Sequence, residues 1–357
     1  MTTEDFDLVC YRRADRARVF AFLREAHARA DSERLIRQWD WKYEANPFNR
    51  NGEPFILLLM HGGRIAGMYG GIFLRCVIDG HEYVAHHGCD LVVHPAYRGQ
   101  RLSARLRRRD KDRPLHFSWQ NEISYRVSRP DGTHGVPFVS VIKPLDAARV
   151  TRSLLGDQWL GRAVGAVTAG VLRWVPALPH RPVLPEVTVT RLDTFDARFD
   201  RLWQRACRTH RVMLVRDRRY LDWRFTQRPD AQYTIWAAIR QDDLLGYLVT
   251  RCASRAGERW GYLVDFLVAE RSPAVFELLL ERAIADLREA GAAAVSCRAA
   301  APAYRRLLYW HGFVRSWREA RGYLRTRIDL PDPGLQVFAD PRQWFVTMGD
   351  GDLEMSI

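Results

Sequence analysis

The chain has 357 residues, 47% of them hydrophobic and 11% aromatic, with a formal net charge of +13. That length exceeds what one core usually fills, and that apolar content excludes a disordered chain, so two globular domains are the starting expectation. The positive balance suits nucleic acid, anionic lipid or a polyphosphate cofactor without choosing among them.

Six cysteines (Cys10, Cys76, Cys89, Cys207, Cys252 and Cys297) are scattered, with no C-x-x-C pair and no histidine at metal-ligand spacing. This predicts reduced thiols in a cytoplasmic protein, no disulfide scaffold and no metal site. The opening "MTTEDFDLV" is acidic and lacks the apolar run of a secretory leader. The most apolar run, Ala163 to Leu172, is flanked by Arg162 and Arg173 and is too short for a membrane span; it reads as an interdomain helix.

Taken in chain order, "DLVCYRRAD" predicts a strand, followed by helical patterns over Arg16–Ala30 and from Glu33 to about Asn46, the second stopped by Pro47. "PFILLLM", "IAGMYGGIFLRCVI" and "EYVAHHGCDLVV" are apolar runs divided by the turns "HGGR" and "DG", which predicts an antiparallel meander. Helix "RLSARLRRRDKD", strand "PLHFSW", helix "NEISYRV" and strand "PFVSVI" complete a first unit. Its fold class is α+β, an α/β mixed sheet that begins antiparallel and ends with helical crossovers. A helix and a Pro-rich linker fill 151–186, and the order then restarts at Val187 with a strand, "VTVTRL", and a helix over Arg198–His210.

The restart is visible in the residues. "DWKYEANP" at Asp40–Pro47 returns as "DWRFTQRP" at Asp222–Pro229, both of the form D-W-[KR]-[YF]-x-x-x-P. The separation of matched residues is 182 at Asp40/Asp222, 179 at Gly67/Gly246 and 175 at Asp90/Asp265, a drift expected from shortened loops. Three matches in one order indicate a tandem duplication. The motif persists in both halves, so it reads as packing: Trp41/Trp223 and Tyr43/Phe225 seal the second helix on the sheet. Lys42 and Arg224 keep the alternative of facing an acceptor groove.

The most informative segment is "DLVVHPAYRGQRLSARLRRR", Asp90 to Arg109. A strand runs to Pro95, turns through "AYRGQR" and opens a helix with Leu102 and Leu106 inward. Such a turn leaves N–H groups at a helix start where a pyrophosphate can rest. Most of Arg107 to Arg113 reads as a solvated helix face.

"V-x-P-x-Y-R-G-x-x-x-S" resembles motif A of the GNAT acyltransferases, R-x-x-G-x-G/A after a V-x-P strand end. Val93, Pro95, Tyr97, Arg98 and Gly99 match, while Arg101 and Ser103 stand at the two signature glycine positions. In the second half, "APAYRRLLYWHGF" resembles the family's A-x-x-x-L-Y-x-x-G-F ending through Leu308, Tyr309, Gly312 and Phe313. The repeated W-[KR]-[YF]-x-x-x-P element also resembles one in two-unit bacterial GNAT proteins. The second half reads "VAERSPAVFELLLERAI" at its motif A position, with no R-G turn.

The resemblance implies two tandem GNAT-like domains, 1–150 with the acyl-CoA site and 187–357 degenerate. The cofactor is acetyl-CoA or another acyl-CoA: pantetheine along Leu91, Val92 and Val93, pyrophosphate on Arg98, Gly99, Gln100, Arg101, Leu102, Ser103 and Ala104, and Asn121 near the sulfur. A backbone N–H of that strand end would stabilise the thioester oxyanion. Asp90 is either the base or a structural, acceptor-orienting carboxylate. Period-2 alternation puts His86, Asp90 and Val92 on one face, with His86 a proton relay or a packed histidine. Tyr125, or Tyr309 in the other unit, would protonate the thiolate.

The implied activity is transfer of an acyl group, as in an N-acetyltransferase, to a primary amine of a small molecule such as an amino sugar, an antibiotic-like amine or an amino acid. Two alternatives are an aminoacyl-tRNA-dependent transferase of the peptidoglycan-bridge type and a non-catalytic basic binding module. The R-G turn speaks against the first, and the lack of aromatics interleaved with the basic run against the second, so no nucleic acid is expected. Monomer and homodimer are both compatible with an internal repeat.

Overall fold

A computed structural model of the chain describes residues 6–108, 114–128, 135–137, 139–150, 184–255, 257–298, 301–316, 323–328 and 332–351. The helical and Pro-rich linker expected over 151–186 lies mostly outside the described residues, as do Arg109 to Arg113. The chain packs as two compact units. Unit 1 comprises Met1–Val136, Gln227–Asp230 and Tyr323–Pro341; unit 2 comprises Pro137–Thr226, Ala231–Gly322 and Arg342–Ile357.

Along unit 1 run β1 (Asp7–Cys10), α1 (Arg16–Ala26), α2 (Arg29–Trp39), β2 (Phe55–His61), β3 (Arg64–Ile78), β4 (His81–Val93), α3 (Leu102–Arg108), β5 (Leu115–Gln120), α4 (Glu122–Ser128) and β6 (Gly135–Pro137). Unit 2 contributes β7 (Ser140–Pro144), β8 (Val187–Leu192), the helix Ala197–Ala206, β9 (Val212–Leu214), β10 (Thr234–Arg240), β11 (Asp243–Arg255), β12 (Glu258–Val268), the helix Pro273–Glu289, β13 (Ala294–Arg298), the helix Pro302–Trp310 and β14 (Val314–Arg315). β15 (Tyr323–Ile328) falls in unit 1 and β16 (Trp344–Phe345) in unit 2.

The mixed α/β sheets anticipated from the turn and crossover pattern are present in both units. Unit 1 has the strand order β1-β2-β3-β4-β5-β15-β6 and unit 2 the order β14-β7-β13-β12-β11-β10-β8. In each, an antiparallel meander passes through one helical crossover into a parallel neighbour: β4 to β5 through α3, and β12 to β13 through Pro273–Glu289. A parallel pair needs such a crossover because a hairpin cannot return the chain in the same direction.

The units are not simple halves of the sequence. β5 takes β15 as its antiparallel neighbour, Gln120 opposite Tyr323, and β13 takes β7, Ser296 opposite Ile142. The strand "PFVSVI", read as the end of the first unit, thus lies in the second sheet, and a strand from the C-terminal part lies in the first.

The repeated stretch has a local form that its residues did not disclose. α2 leaves α-helical geometry at Asp40 and passes into a π-helical turn, Asp40–Glu44, where the Ala45 N–H donates to Asp40 O at 2.6 Å. Asp222–Thr226 adopts the same turn. Trp41, Trp223, Tyr43 and Phe225 are buried, as a packing motif requires. Lys42 and Arg224 are buried as well, at 2% and 1% exposure, so neither faces an open groove.

The matched glycines hold the same place. Gly67 pairs with Val93 and Gly246 with Val268. A Cβ on Gly67 would lie 3.0 Å from Leu106 of the crossover helix, and one on Gly246 would lie 3.1 Å from Val275 of its counterpart. Bare backbone there lets each crossover helix lie close on its sheet.

Candidate functional site

The site begins where β4 and β5 part. Their parallel ladder runs from His86 opposite His116 to Gly88 opposite Ser118, and stops there although both strands continue. Past Gly88, β4 keeps its hydrogen bonds to β3 on one edge, while the edge toward β5 opens. A bulge sits at this point: Met68 pairs with Val92 and Gly70 with Cys89, so Tyr69 faces both Asp90 and Leu91. Asp90 takes the left-handed region, φ +47°. Bulges of this kind bend a strand and re-aim its side chains.

The bulge overturns the expected alternation. A Cβ on Gly71 would strike the His86 ring, and one on neighbouring Gly70 would strike the Tyr43 hydroxyl, so His86 and Tyr43 lie on opposite faces of the sheet. Asp90 bonds to Tyr43 and therefore takes the Tyr43 face. Leu91 and Val93 pack with Tyr69, Leu102 and Leu106 on the other. Asp90 and Val92 share a face, but His86 does not join them.

Asp90 is firmly held. Lys42 Nζ lies 2.7 Å and the Tyr43 hydroxyl 2.5 Å from the same carboxylate oxygen, Oδ2. Burial alone would raise the Asp90 pKa, but the Lys42 charge and the two hydrogen bonds outweigh it and hold the carboxyl below its usual value. The Tyr43 hydroxyl is pushed well above its ordinary value by burial and by the Asp90 charge, and it also lies 3.6 Å from Cys89 Sγ. Lys42 and Tyr43 both come from the repeated stretch, whose tie to Asp90 the sequence spacing had not suggested.

His86 is buried among rings: Phe55 at 4.6 Å, Phe73 at 5.6 Å and His116 at 5.5 Å. His116 Nε2 lies 3.2 Å from the Tyr69 hydroxyl, and that pair fills the space a side chain at Gly88 would need.

The turn after β4 is ordered by local hydrogen bonds. Pro95–Tyr97 form a 3-10 turn capped by His94, whose Nδ1 accepts from the Ala96 N–H. Arg98 is exposed and its Nε donates to Val93 O at 3.3 Å, which ties the turn to the strand end. Gly99 has φ +82° and Arg101 φ +57°. Arg101 thus keeps the left-handed backbone a signature glycine would favour, while its side chain is exposed. Among the described residues no acceptor meets the N–H groups of Gly99 through Ser103, whereas the Ala104 N–H is already taken by Arg101 O at 3.0 Å.

Splay and turn enclose a cleft of about 310 Å³ lined by Leu91, Val92, Val93, Arg98, Gly99, Arg101, Leu102 and Ser103, with Ile123 and Ser124 of α4 across from them. Gln100 is part of the turn but not of the lining. Asn121 caps α4, its Oδ1 accepting from the Ser124 N–H at 2.8 Å. Tyr125 is outside the lining and stacks on Tyr323, rings 4.0 Å apart and 7° from parallel. His27, which follows α1, joins the lining, and its buried Nε2 has no hydrogen-bond partner among the described residues. A lone histidine at a helix end gave no sequence signal.

The corresponding place in unit 2 is filled by the protein's own chain. Asp265, the counterpart of Asp90, is bound by Arg216 at 3.2 Å, Tyr247 at 2.6 Å and Thr347 at 2.6 Å. Arg224, the counterpart of Lys42, donates to the carbonyls of Gly349 and Gly351, both at 3.0 Å. Ser272 caps the crossover helix by accepting from the Val275 N–H, where unit 1 has its open turn.

The fold has known counterparts. A GCN5-related N-acetyltransferase from Anabaena variabilis superposes with a TM-score of 0.61 at 12% identity, over 91% of this chain and 73% of its own. The chain has the GNAT fold. A second GNAT structure, from Kribbella flavida, gives 0.57 at 18% identity over 91% and 71% of the two chains. N-myristoyltransferase from Saccharomyces cerevisiae, with bound myristoyl-CoA, gives 0.57 at 11% identity over 92% and 84%. No family sequence model matches the chain, and neither does any curated protein sequence. Among the described residues no helix is long and apolar enough to cross a membrane, and no group of three or more His, Cys, Asp or Glu could hold a metal ion.

Proposed function

We propose that the protein is an acyl-CoA-dependent N-acyltransferase, with its donor site in unit 1 and a primary amine of a small molecule as acceptor. The observation that carries this reading is the parting of β4 from β5 after Gly88, followed by a turn whose N–H groups from Gly99 to Ser103 meet no acceptor among the described residues. An open strand edge can hydrogen-bond the amides of pantetheine, and N–H groups at a helix start can take a pyrophosphate. The GNAT and N-myristoyltransferase likenesses support an acyl-CoA donor; acetyl-CoA is the donor we favour.

On this reading Leu91 to Val93 hold the pantetheine arm, and one of their N–H groups meets the thioester oxygen as it gains charge. Arg98 adds positive charge at the phosphates, and Arg101 contributes its N–H. Asp90, already paired with Lys42 and Tyr43, serves as an orienting carboxylate and not as the base. His27, a residue of the cleft lining, is the candidate base for the ammonium proton, and Tyr125 is the candidate acid for the departing thiolate. The amine nitrogen bonds to the acyl carbon, the carbon–sulfur bond breaks, and the products are an amide and free CoA. Unit 2, whose equivalent place holds residues 347–351, has no donor site on this reading.

Isothermal titration of the full chain with CoA tests the reading. Binding to wild type, abolished by Arg98→Glu, is expected. Absence of CoA binding to wild type would overturn it.

A further inference from the structure

A second groove in unit 1, of about 720 Å³, is walled by Arg12, Arg13 and Arg50 and floored by the rings of Phe55 and Phe73. Its arginines are held in place by local backbone. Asn51 and Gly52 turn with φ +54° and +74°, and Glu53 N–H donates to Arg50 O at 3.1 Å, which fixes the start and end of that turn. The Arg50 guanidinium rests 4.9 Å from the centre of the Phe73 ring. Arg12 stands at the end of β1, its N–H on Asp15 Oδ2 at 3.0 Å.

The neighbouring arginines have carboxylate partners: Arg16 pairs with Asp40 and Glu44, Arg18 with Asp15, and Arg24 with Glu33. Among the described residues no ion pair joins Arg12, Arg13 or Arg50 to a carboxylate, and Glu53 is the single acid in the groove wall. Three arginines without a carboxylate partner, lining one groove with two aromatic rings, suit an oxyanion carried on an apolar body. The two rings also belong to the packed layer that reaches the end of the β4–β5 ladder. Phe55 and Phe73 touch His86, His86 touches His116, and the His116–Tyr69 pair covers Gly88, where the β4–β5 ladder ends.

We propose that this groove binds an oxyanion, a carboxylate or a phosphoryl group, of the amine that accepts the acyl group. The acceptor is then an anionic amine, not a simple or polycationic one. This inference rests on the acyl-transfer reading for its role, but not for the binding itself.

Titration calorimetry with the full chain tests it through two pairs of probes. L-Phenylalanine and phenethylamine differ only by a carboxylate; phosphoethanolamine and ethanolamine differ only by a phosphoryl group. In at least one pair the anionic member is expected to bind about tenfold or more tightly, the pair showing which oxyanion is preferred. Arg12→Gln and Arg50→Gln, singly and together, should remove that preference and leave CoA affinity unchanged. Both positions are exposed, and melting curves of the variants check that they fold. Equal or absent binding within both pairs overturns the proposal, as does a preference that survives the double substitution. Failure of CoA binding with the preference intact removes the acyl-transfer reading and leaves the groove; CoA binding without the preference does the reverse.

Discussion

Lys42 Nζ lies 2.7 Å from Asp90 Oδ2, both side chains at most 13% exposed, and this contact joins the repeated stretch to the bulge in β4. Removing one partner of a buried pair leaves an uncompensated charge. Lys42→Met is expected to cost about 3–5 kcal/mol in urea denaturation. Adding Asp90→Asn, which keeps a residue tolerant of φ > 0, should recover part of that loss. Additive costs in the double-mutant cycle would mean that the pair contributes nothing as a pair.

Arg101 tests whether side chain or backbone matters in the phosphate turn. Arg101→Gly relieves a left-handed residue by roughly 1–2 kcal/mol but frees the unfolded chain by about 0.4–1, so stability should rise by between about 0 and 1.6 kcal/mol. CoA affinity should persist, because the N–H groups are retained. Loss of CoA binding in this variant would assign the site to the guanidinium.

Gly71 exists to admit the His86 ring: an added Cβ would sit 1.9 Å from Nε2. Gly71→Ala should destabilise by about 1–3 kcal/mol through overpacking, as read from the shift in melting temperature. Combining it with His86→Ala should relieve the clash. A neutral single substitution would show that the ring can move away.

Tyr125→Phe preserves the stack on Tyr323 while deleting the hydroxyl. If the phenol protonates the thiolate, kcat should fall about 100-fold with CoA affinity unchanged. An unaltered kcat would exclude Tyr125 as the acid, and a change confined to CoA affinity would make it a cofactor contact.

His210 in unit 2 stacks on Phe345 at 4.4 Å, and burial, then the charges of Arg271 and Arg216, push its pKa from 6.5 to about 3. Its neutral form is favoured by folding. The stability it contributes is present above pH 6.5 and is lost as pH falls toward 3, because there the unfolded chain binds the extra proton. His210→Phe should flatten the fall in melting temperature across that window relative to wild type. Parallel curves for the two proteins would refute the assignment.

Much of this protein was set by local pattern. Turn dipeptides and apolar alternation determined the meander, the recurrence of D-W-[KR]-[YF]-x-x-x-P marked the two π-helical turns, and Y-R-G after a strand end marked the turn that opens α3. These features depend on residues adjacent in the chain, where backbone preference acts directly. Tertiary structure alone decided the rest. One extra residue at Asp90 turned the faces of β4 and separated His86 from Asp90. Strands β7 and β15 settled in the sheets opposite to their place in the sequence. Lys42 met Asp90 across 48 residues, and residues 347–351 filled the second unit's site. Each of these outcomes follows from side chains far apart in sequence competing for the same buried space and charge, which no periodicity records.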